Sequence, residues 1–128
     1  MHHFAIRSLQ ALNVDWYELT VNDQSPWSDF NNLCIRNGMK SVTEGLVRLM
    51  EAASDGKLLA NSQMEKIRGT QLAKFELKKG SGYRAYVWKK DATSWVFLLG
   101  GKKATQNTDI RDAKWLVASY IDQLGEKL

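Results

Sequence analysis

The chain reads as a single α+β domain in which helices pack on an antiparallel sheet, and three observations lead there. Residues 72–100 hold three short segments of alternating or apolar character, separated by turn residues. Two stretches of helical periodicity with stop signals precede them, and a third helical stripe closes the chain. At 128 residues and 44% hydrophobic residues, one core accounts for the whole of residues 1–128.

Residues 14–22 alternate, with Tyr17, Leu19 and Val21 on one face and Trp16, Glu18 and Thr20 on the other, which predicts a strand. Ser25-Pro26 supplies an N-cap and a proline at the first helical position. The helix from Pro26 to about Arg36 buries Phe30, Leu33 and Cys34, and Asn37-Gly38 ends it. Ser41-Val42-Thr43-Glu44 has the form of a capping box, and Val42, Leu46, Leu49, Met50 and Ala53 form the stripe of the next helix, which stops at Asp55-Gly56. Residues 57–71 carry the weakest pattern and read as a surface loop. Strands at about 72–79, 83–90 and 94–100 follow, joined by Gly80-Ser81-Gly82 and Asp91-Ala92-Thr93. Both joints have hairpin length, so the three form an antiparallel meander. The last strand is apolar on both faces and is expected in the sheet centre, covered on both sides. Residues 101–107 read as irregular. Asp109 then caps a helix with a stripe of Ile110, Ala113, Val117, Tyr120, Ile121 and Leu124, ended by Gly125. The predicted order is β-α-α-β-β-β-α, an antiparallel sheet packed by an αα-hairpin and a C-terminal helix.

Charge is distributed unevenly. Between Lys66 and Lys103 lie ten basic residues against two acids, Glu76 and Asp91, a net +8. The residues before sum to −3 and those after to −1. Lys74, Glu76 and Lys78 are spaced two apart, so a strand places them on one face. A cationic sheet face attracts a polyanion such as RNA. The bland reading of the same residues is a solvated sheet face with cross-strand ion pairs, Arg84 with Glu76 among them.

Several function classes lack their residues. Both histidines, His2 and His3, sit at the N-terminus, so the body of the chain has no histidine base. No CxxC, HExxH or Cys/His cluster is present, and no metal or other cofactor is expected. Gly100-Gly101-Lys102-Lys103 lacks P-loop spacing. No apolar run approaches the roughly 20 residues of a membrane span, and no signal-peptide pattern opens the chain. The single Cys34, set in an apolar helical stretch, reads as a buried thiol and fits a cytoplasmic location. Tyr86, Trp88 and Trp95 are either core or base-stacking platforms. Trp115 lies off the helix stripe, as packing or as an exposed anchor.

The run Phe75-Glu76-Leu77-Lys78, a glycine turn, Tyr83-Arg84-Ala85-Tyr86, then Phe97-Leu98-Leu99-Gly100-Gly101-Lys102-Lys103-Ala104-Thr105-Gln106 and an amphipathic helix resembles the RelE/ParE superfamily of toxins. The likeness is to its HigB-like, phage-derived branch and covers about residues 70–122. The resemblance implies the RelE/ParE-like fold and a type II toxin–antitoxin component. Such a protein is held by a cognate antitoxin, expected here to be of helix-turn-helix type. Many relatives are mRNA interferases, metal-independent endoribonucleases that act on the ribosome and stop translation; others bind gyrase without nuclease chemistry. Carried over by position, Lys74, Lys78 and Arg84 fall where RNA-cleaving relatives place basic catalytic or phosphate-binding groups, with Glu76 between the lysines. Lys79, Lys102, Lys103 and Gln106 are then the expected RNA-binding groups. The chain departs from the pattern in two places. Gly100 stands where a histidine often follows the last strand, and Tyr120 lies within the helix rather than near the C-terminus. Alternatives from other classes are a non-catalytic protein-binding toxin or prophage accessory protein on the same fold, and a plain RNA-binding module.

Overall fold

A computed structural model describes residues 2–13, 15–77 and 82–126. Its elements run β1 (Phe4–Ser8), β2 (Trp16–Val21), α1 (Pro26–Arg36), α2 (Lys40–Ser54), β3 (Met64–Lys66), β4 (Leu72–Glu76), β5 (Tyr83–Lys89), β6 (Trp95–Lys102), a 3-10 turn (Lys103–Thr105) and α3 (Gln106–Glu126). The α+β class stands, and the order differs from β-α-α-β-β-β-α in having two further strands, β1 and β3.

The six strands form one sheet in the order β1-β2-β6-β5-β4-β3. The meander β4-β5-β6 is antiparallel, as its short turns require. The expectation of a purely antiparallel sheet is corrected at one joint: β2 runs parallel to β6, with Trp16 opposite Trp95 and Glu18 opposite Phe97. The connection between them includes the αα-hairpin and the meander, long enough for a parallel crossover. β6 is central and covered on both faces. The helices divide between the faces, α1 and α2 on one and α3 on the other, which gives two cores. Trp16, Phe30, Leu46, Phe75 and Phe97 centre the first. Leu19, Tyr86, Val96, Leu98 and Ala113 centre the second. A bulge where Tyr86 pairs Leu99 and Val87 pairs Phe97 lets Leu98 and Leu99 both pack toward α3.

Local signals account for most boundaries. Ser25 caps α1, its hydroxyl accepting from the Ser28 N–H at 3.1 Å. Glu18, buried on β2, closes the same terminus by accepting from the Ser25 hydroxyl at 2.6 Å and the Trp27 N–H at 3.2 Å. Its carboxylate also faces the positive end of the helix dipole. Gly38 and Gly56 take positive φ after α1 and α2, a geometry glycine adopts without strain.

Other signals gave way to tertiary contacts. α2 begins at Lys40, ahead of the expected capping box, so Met39 takes the cap position and makes no side-chain cap, while Thr43 donates to Asn31 Oδ1 at 2.9 Å and ties the two helices together. β6 continues through Lys102, and α3 begins at Gln106, so residues 101–107 are ordered rather than irregular. Asp109 sits in the first turn of α3, accepting from the Thr105 hydroxyl at 2.7 Å, and Gly125 lies inside the helix. The first meander strand ends at Glu76; Lys78, Lys79 and Gly80-Ser81 of its turn lie outside the described residues. At the other end of the sheet, the Gln123 side chain both donates to and accepts from the Phe4 backbone, at 2.6 and 2.8 Å, and so closes part of the exposed edge of β1.

Candidate functional site

The site is built where period-2 side chains of β4 and β5 meet the N-terminus of α3. Leu72, Lys74 and Glu76 of β4 project toward α3, as do Arg84, Tyr86 and Trp88 of β5, since Ala73, Phe75, Ala85 and Val87 between them fill the opposite core. The register sets Glu76 opposite Arg84, Lys74 opposite Tyr86, and Glu65 of β3 opposite Lys74. Arg84 also lies opposite Gly101 of β6. A Cβ at Gly101 would stand 2.1 Å from Asp109 Oδ2, so the bare glycine is what lets the first turn of α3 close down beside Arg84.

That closure produces a small polar network. The Arg84 guanidinium donates through Nε to Glu76 Oε2 and through Nη1 to Gln106 Oε1. Lys74 Nζ also reaches Gln106 Oε1, at 3.4 Å, and lies 3.6 Å from Glu65. One amide oxygen therefore bridges two cations from neighbouring strands. Arg84 is only 6% exposed, which a guanidinium tolerates when it is paired and hydrogen-bonded. A cleft of about 450 Å³ opens above the network, walled by Lys74, Arg84, Lys103 and Gln106 together with Asn107 and Thr108 of α3. The positive end of the α3 dipole adds to the field there. Beneath it, the Tyr86 hydroxyl is fully buried and makes no hydrogen bond of ordinary geometry. Burial pushes its pKa up, Asp109 and Glu76 add to the rise, and the nearby Arg84 opposes it.

The structure brings Lys74, Glu76, Arg84, Lys103 and Gln106 together. It separates Lys102 from them. Because β6 runs on through Lys102, that side chain lies over the ring of Tyr83, 5.4 Å from its centroid, toward the α1/α2 face. Lys78 and Lys79 lie outside the described residues. Glu65, Asn107, Thr108 and Asp109 complete the surroundings; the sequence pattern marked Asp109 only as a helix cap and the others not at all. Glu65 sits in the weakly patterned segment, and the other three become neighbours only through the docking of α3.

Further expectations are answered by packing. Tyr86, Trp88 and Trp95 are buried, so none offers a free face for stacking a base. Gly100 points to the other side of the sheet from Arg84. A Cβ there would lie 2.2–2.5 Å from three ring atoms of Phe30, so the position has no room for a side chain. Cys34 is fully buried and burial pushes its thiol up, a structural rather than nucleophilic setting. Tyr120 packs edge-on against Trp88 along α3. Among the described residues no cluster of His, Cys, Asp and Glu could hold a metal ion, and no helix is long and apolar enough to cross a membrane. Comparison with protein-family models, curated proteins and solved structures gives no match to this chain.

Proposed function

We propose that the chain is the toxin of a type II toxin–antitoxin system, a metal-independent endoribonuclease that cuts mRNA on the ribosome and is held in check by a helix-turn-helix antitoxin. The observation that supports this reading is the convergence of Arg84, Lys74 and Lys103 on one open cleft at a helix N-terminus. A phosphodiester seated there meets cations and helix N–H groups together. In the proposed reaction the ribose 2′-oxygen attacks phosphorus. Its proton passes to Glu76, the carboxylate beside Arg84. Arg84 holds the negative charge that builds on the phosphorane, its guanidinium suited to gripping two oxygens. The ammonium of Lys74 gives a proton to the departing 5′-oxygen, leaving a 2′,3′-cyclic phosphate and a 5′-hydroxyl.

A second reading, a toxin or RNA-binding module that does not cut, rests on a specific feature. Arg84 is almost wholly buried and already bonded to Glu76 and Gln106, as a structural ion pair would be. Expressing the wild type and Arg84→Ala in bacterial cells, with primer extension on a translated mRNA, separates the two. Cleavage is expected with wild type and is lost in the variant. Growth arrest without cleavage supports the non-cutting reading. Neither arrest nor cleavage refutes the toxin assignment.

A further inference from the structure

The basic block does not occupy one surface. Lys74, Arg84 and Lys103 meet at the N-terminus of α3. Lys66 of β3 and Lys89 and Lys90 at the end of β5 gather around a second recess. Arg84 and Lys89 are five residues apart on β5, which at about 3.3 Å per residue separates those two by roughly 17 Å, whereas Lys66 lies opposite Ala73, next to Lys74 in register. The two groups differ in face. Lys89 follows Val87, and Lys66 follows Met64, on the side of the sheet that packs toward α1 and α2.

The second recess has a volume of about 370 Å³. Its walls and floor include Met64, Ala73, Ala92 and Trp95, so the lining is mainly apolar. Among the described residues the acid on its rim is Asp91, whose carboxylate accepts from the N–H and hydroxyl of Thr93 at 3.0 and 3.3 Å and lies 3.9 Å from Lys90 Nζ. Those bonds, the backbone N–H first, hold the Asp91 carboxyl below its ordinary pKa. An apolar floor ringed by three cations and one anion complements an occupant with aliphatic side chains flanked by carboxylates. RNA fits less well. The Trp95 ring is 7% exposed, stacked on Trp16 at 5.4 Å and covered by Lys89 Nζ at 5.1 Å, so no base can lie on it. The cations are lysines, point charges rather than the forks that grip phosphate bidentately.

We propose that this recess is a docking site for an acidic peptide segment, which places an aliphatic side chain over Met64 and Ala73 and its carboxylates against Lys66, Lys89 and Lys90. The site is separate from the Arg84 cleft and does not depend on the activity assigned to that cleft.

The probe is a fluorescent peptide of leucines interleaved with glutamates, followed by anisotropy against the full chain. The controls are the same peptide with lysines for glutamates, and a labelled oligouridine. Binding of the acidic peptide is expected, with chemical-shift changes at the Ala73 amide and the Trp95 indole. Reversing all three recess cations (Lys66→Glu, Lys89→Glu, Lys90→Glu) is expected to weaken it at least tenfold. Reversing three exposed cations elsewhere, Lys40, Arg48 and Lys57, changes net charge equally and is expected to weaken it less than threefold. The proposal is overturned by no binding, by equal loss in both variants, by equal binding of the lysine peptide, or by oligouridine displacing the acidic peptide from the recess.

Discussion

Gly100→Ala tests how the end of β6 is packed. The added Cβ falls 2.2 Å from Phe30 Cδ1, where ordinary contact begins near 3.4 Å, so the ring must retreat by about 1.2 Å. Phe30 is 3% exposed and boxed by Trp27, Tyr83 and Phe97, with ring centroids 6.0–6.3 Å away, which leaves it nowhere to go without moving a second ring. Overpacking of this kind costs about 1–3 kcal/mol, and the crowding here points to the upper end. Gly100 does not have a positive φ, so the change adds no backbone strain. Alanine instead recovers roughly 0.5–1 kcal/mol of strand preference. The net expectation is a loss of about 2 kcal/mol, read in urea unfolding, or a melting point lowered by roughly 8 °C at this chain length. In a Phe30→Leu background the same substitution is expected to cost less than about 1 kcal/mol, because the smaller side chain vacates the contested space. A Gly100→Ala protein within about 0.5 kcal/mol of wild type in both backgrounds would refute the placement of Phe30 over this glycine. The consequence reaches the site, since a side chain at position 100 would face Phe30 and could not serve the Arg84 cleft.

Three other outcomes follow from particular contacts. Glu76→Gln leaves the buried Arg84 charge without its carboxylate and is expected to cost about 2 kcal/mol in urea unfolding, with Arg84→Met in the same chain restoring at least half. Cys34 and Tyr86 both titrate higher in the folded chain than their ordinary 9.0 and 10.0, so the unfolded chain loses these protons first and stability falls as pH rises beyond 9; melting curves of Cys34→Val and Tyr86→Phe should each flatten that alkaline limb. Gln123→Ala removes both side-chain bonds to Phe4 and is expected to cost about 1–2 kcal/mol, with faster hydrogen exchange at the Phe4 amide; unchanged exchange there would argue against the cap on β1.

The meander and the covering of β6 on both faces were legible because their signals are local, whereas the single core expected from chain length is in fact two, one on each side of the sheet. Alternation along β4, the turn residues after β5 and the Ser25-Pro26 start of α1 each describe a few neighbouring residues. What stayed hidden depends on distant partners. Phe4–Ser8 becomes a strand by pairing with β2, Phe4 opposite Val21, and by the reach of Gln123 across 119 residues. Met64–Lys66 is an edge strand of three residues, too short to carry a period. The parallel pairing of Trp16 with Trp95 is invisible to periodicity, which gives a strand its faces but not its neighbour. The site divides in the same way. A shared face for Lys74, Glu76 and Arg84 follows from period 2 and from adjacency of the two strands. That Gln106 bridges two of these cations, and that Lys102 leaves them, depends on where β6 stops and how α3 docks.

That division bears on how much of the +8 block an RNA strand can use, and salt dependence measures it. Single-stranded binding falls with salt with a slope of about −0.7 per phosphate contact on logarithmic axes. If all ten basic residues of the block met one strand, the slope would approach −7. The cleft presents three, Lys74, Arg84 and Lys103, which gives about −2. Lys78 and Lys79 come two and three residues after the last residue of β4 in sequence, and both contacting the strand would steepen it to about −3.5. Lys89 and Lys90 lie at the far end of β5, and Lys66, though opposite Ala73 and beside Lys74 in register, follows Met64 on the other face, so a short strand seated in the cleft does not reach these three. The expected slope for a short oligouridine is therefore between about −2 and −3.5, unchanged when these three lysines are reversed. A slope near −7, or one that becomes shallower in that variant, would mean the strand runs across both ends of the sheet and would refute the division of the basic block into two sites.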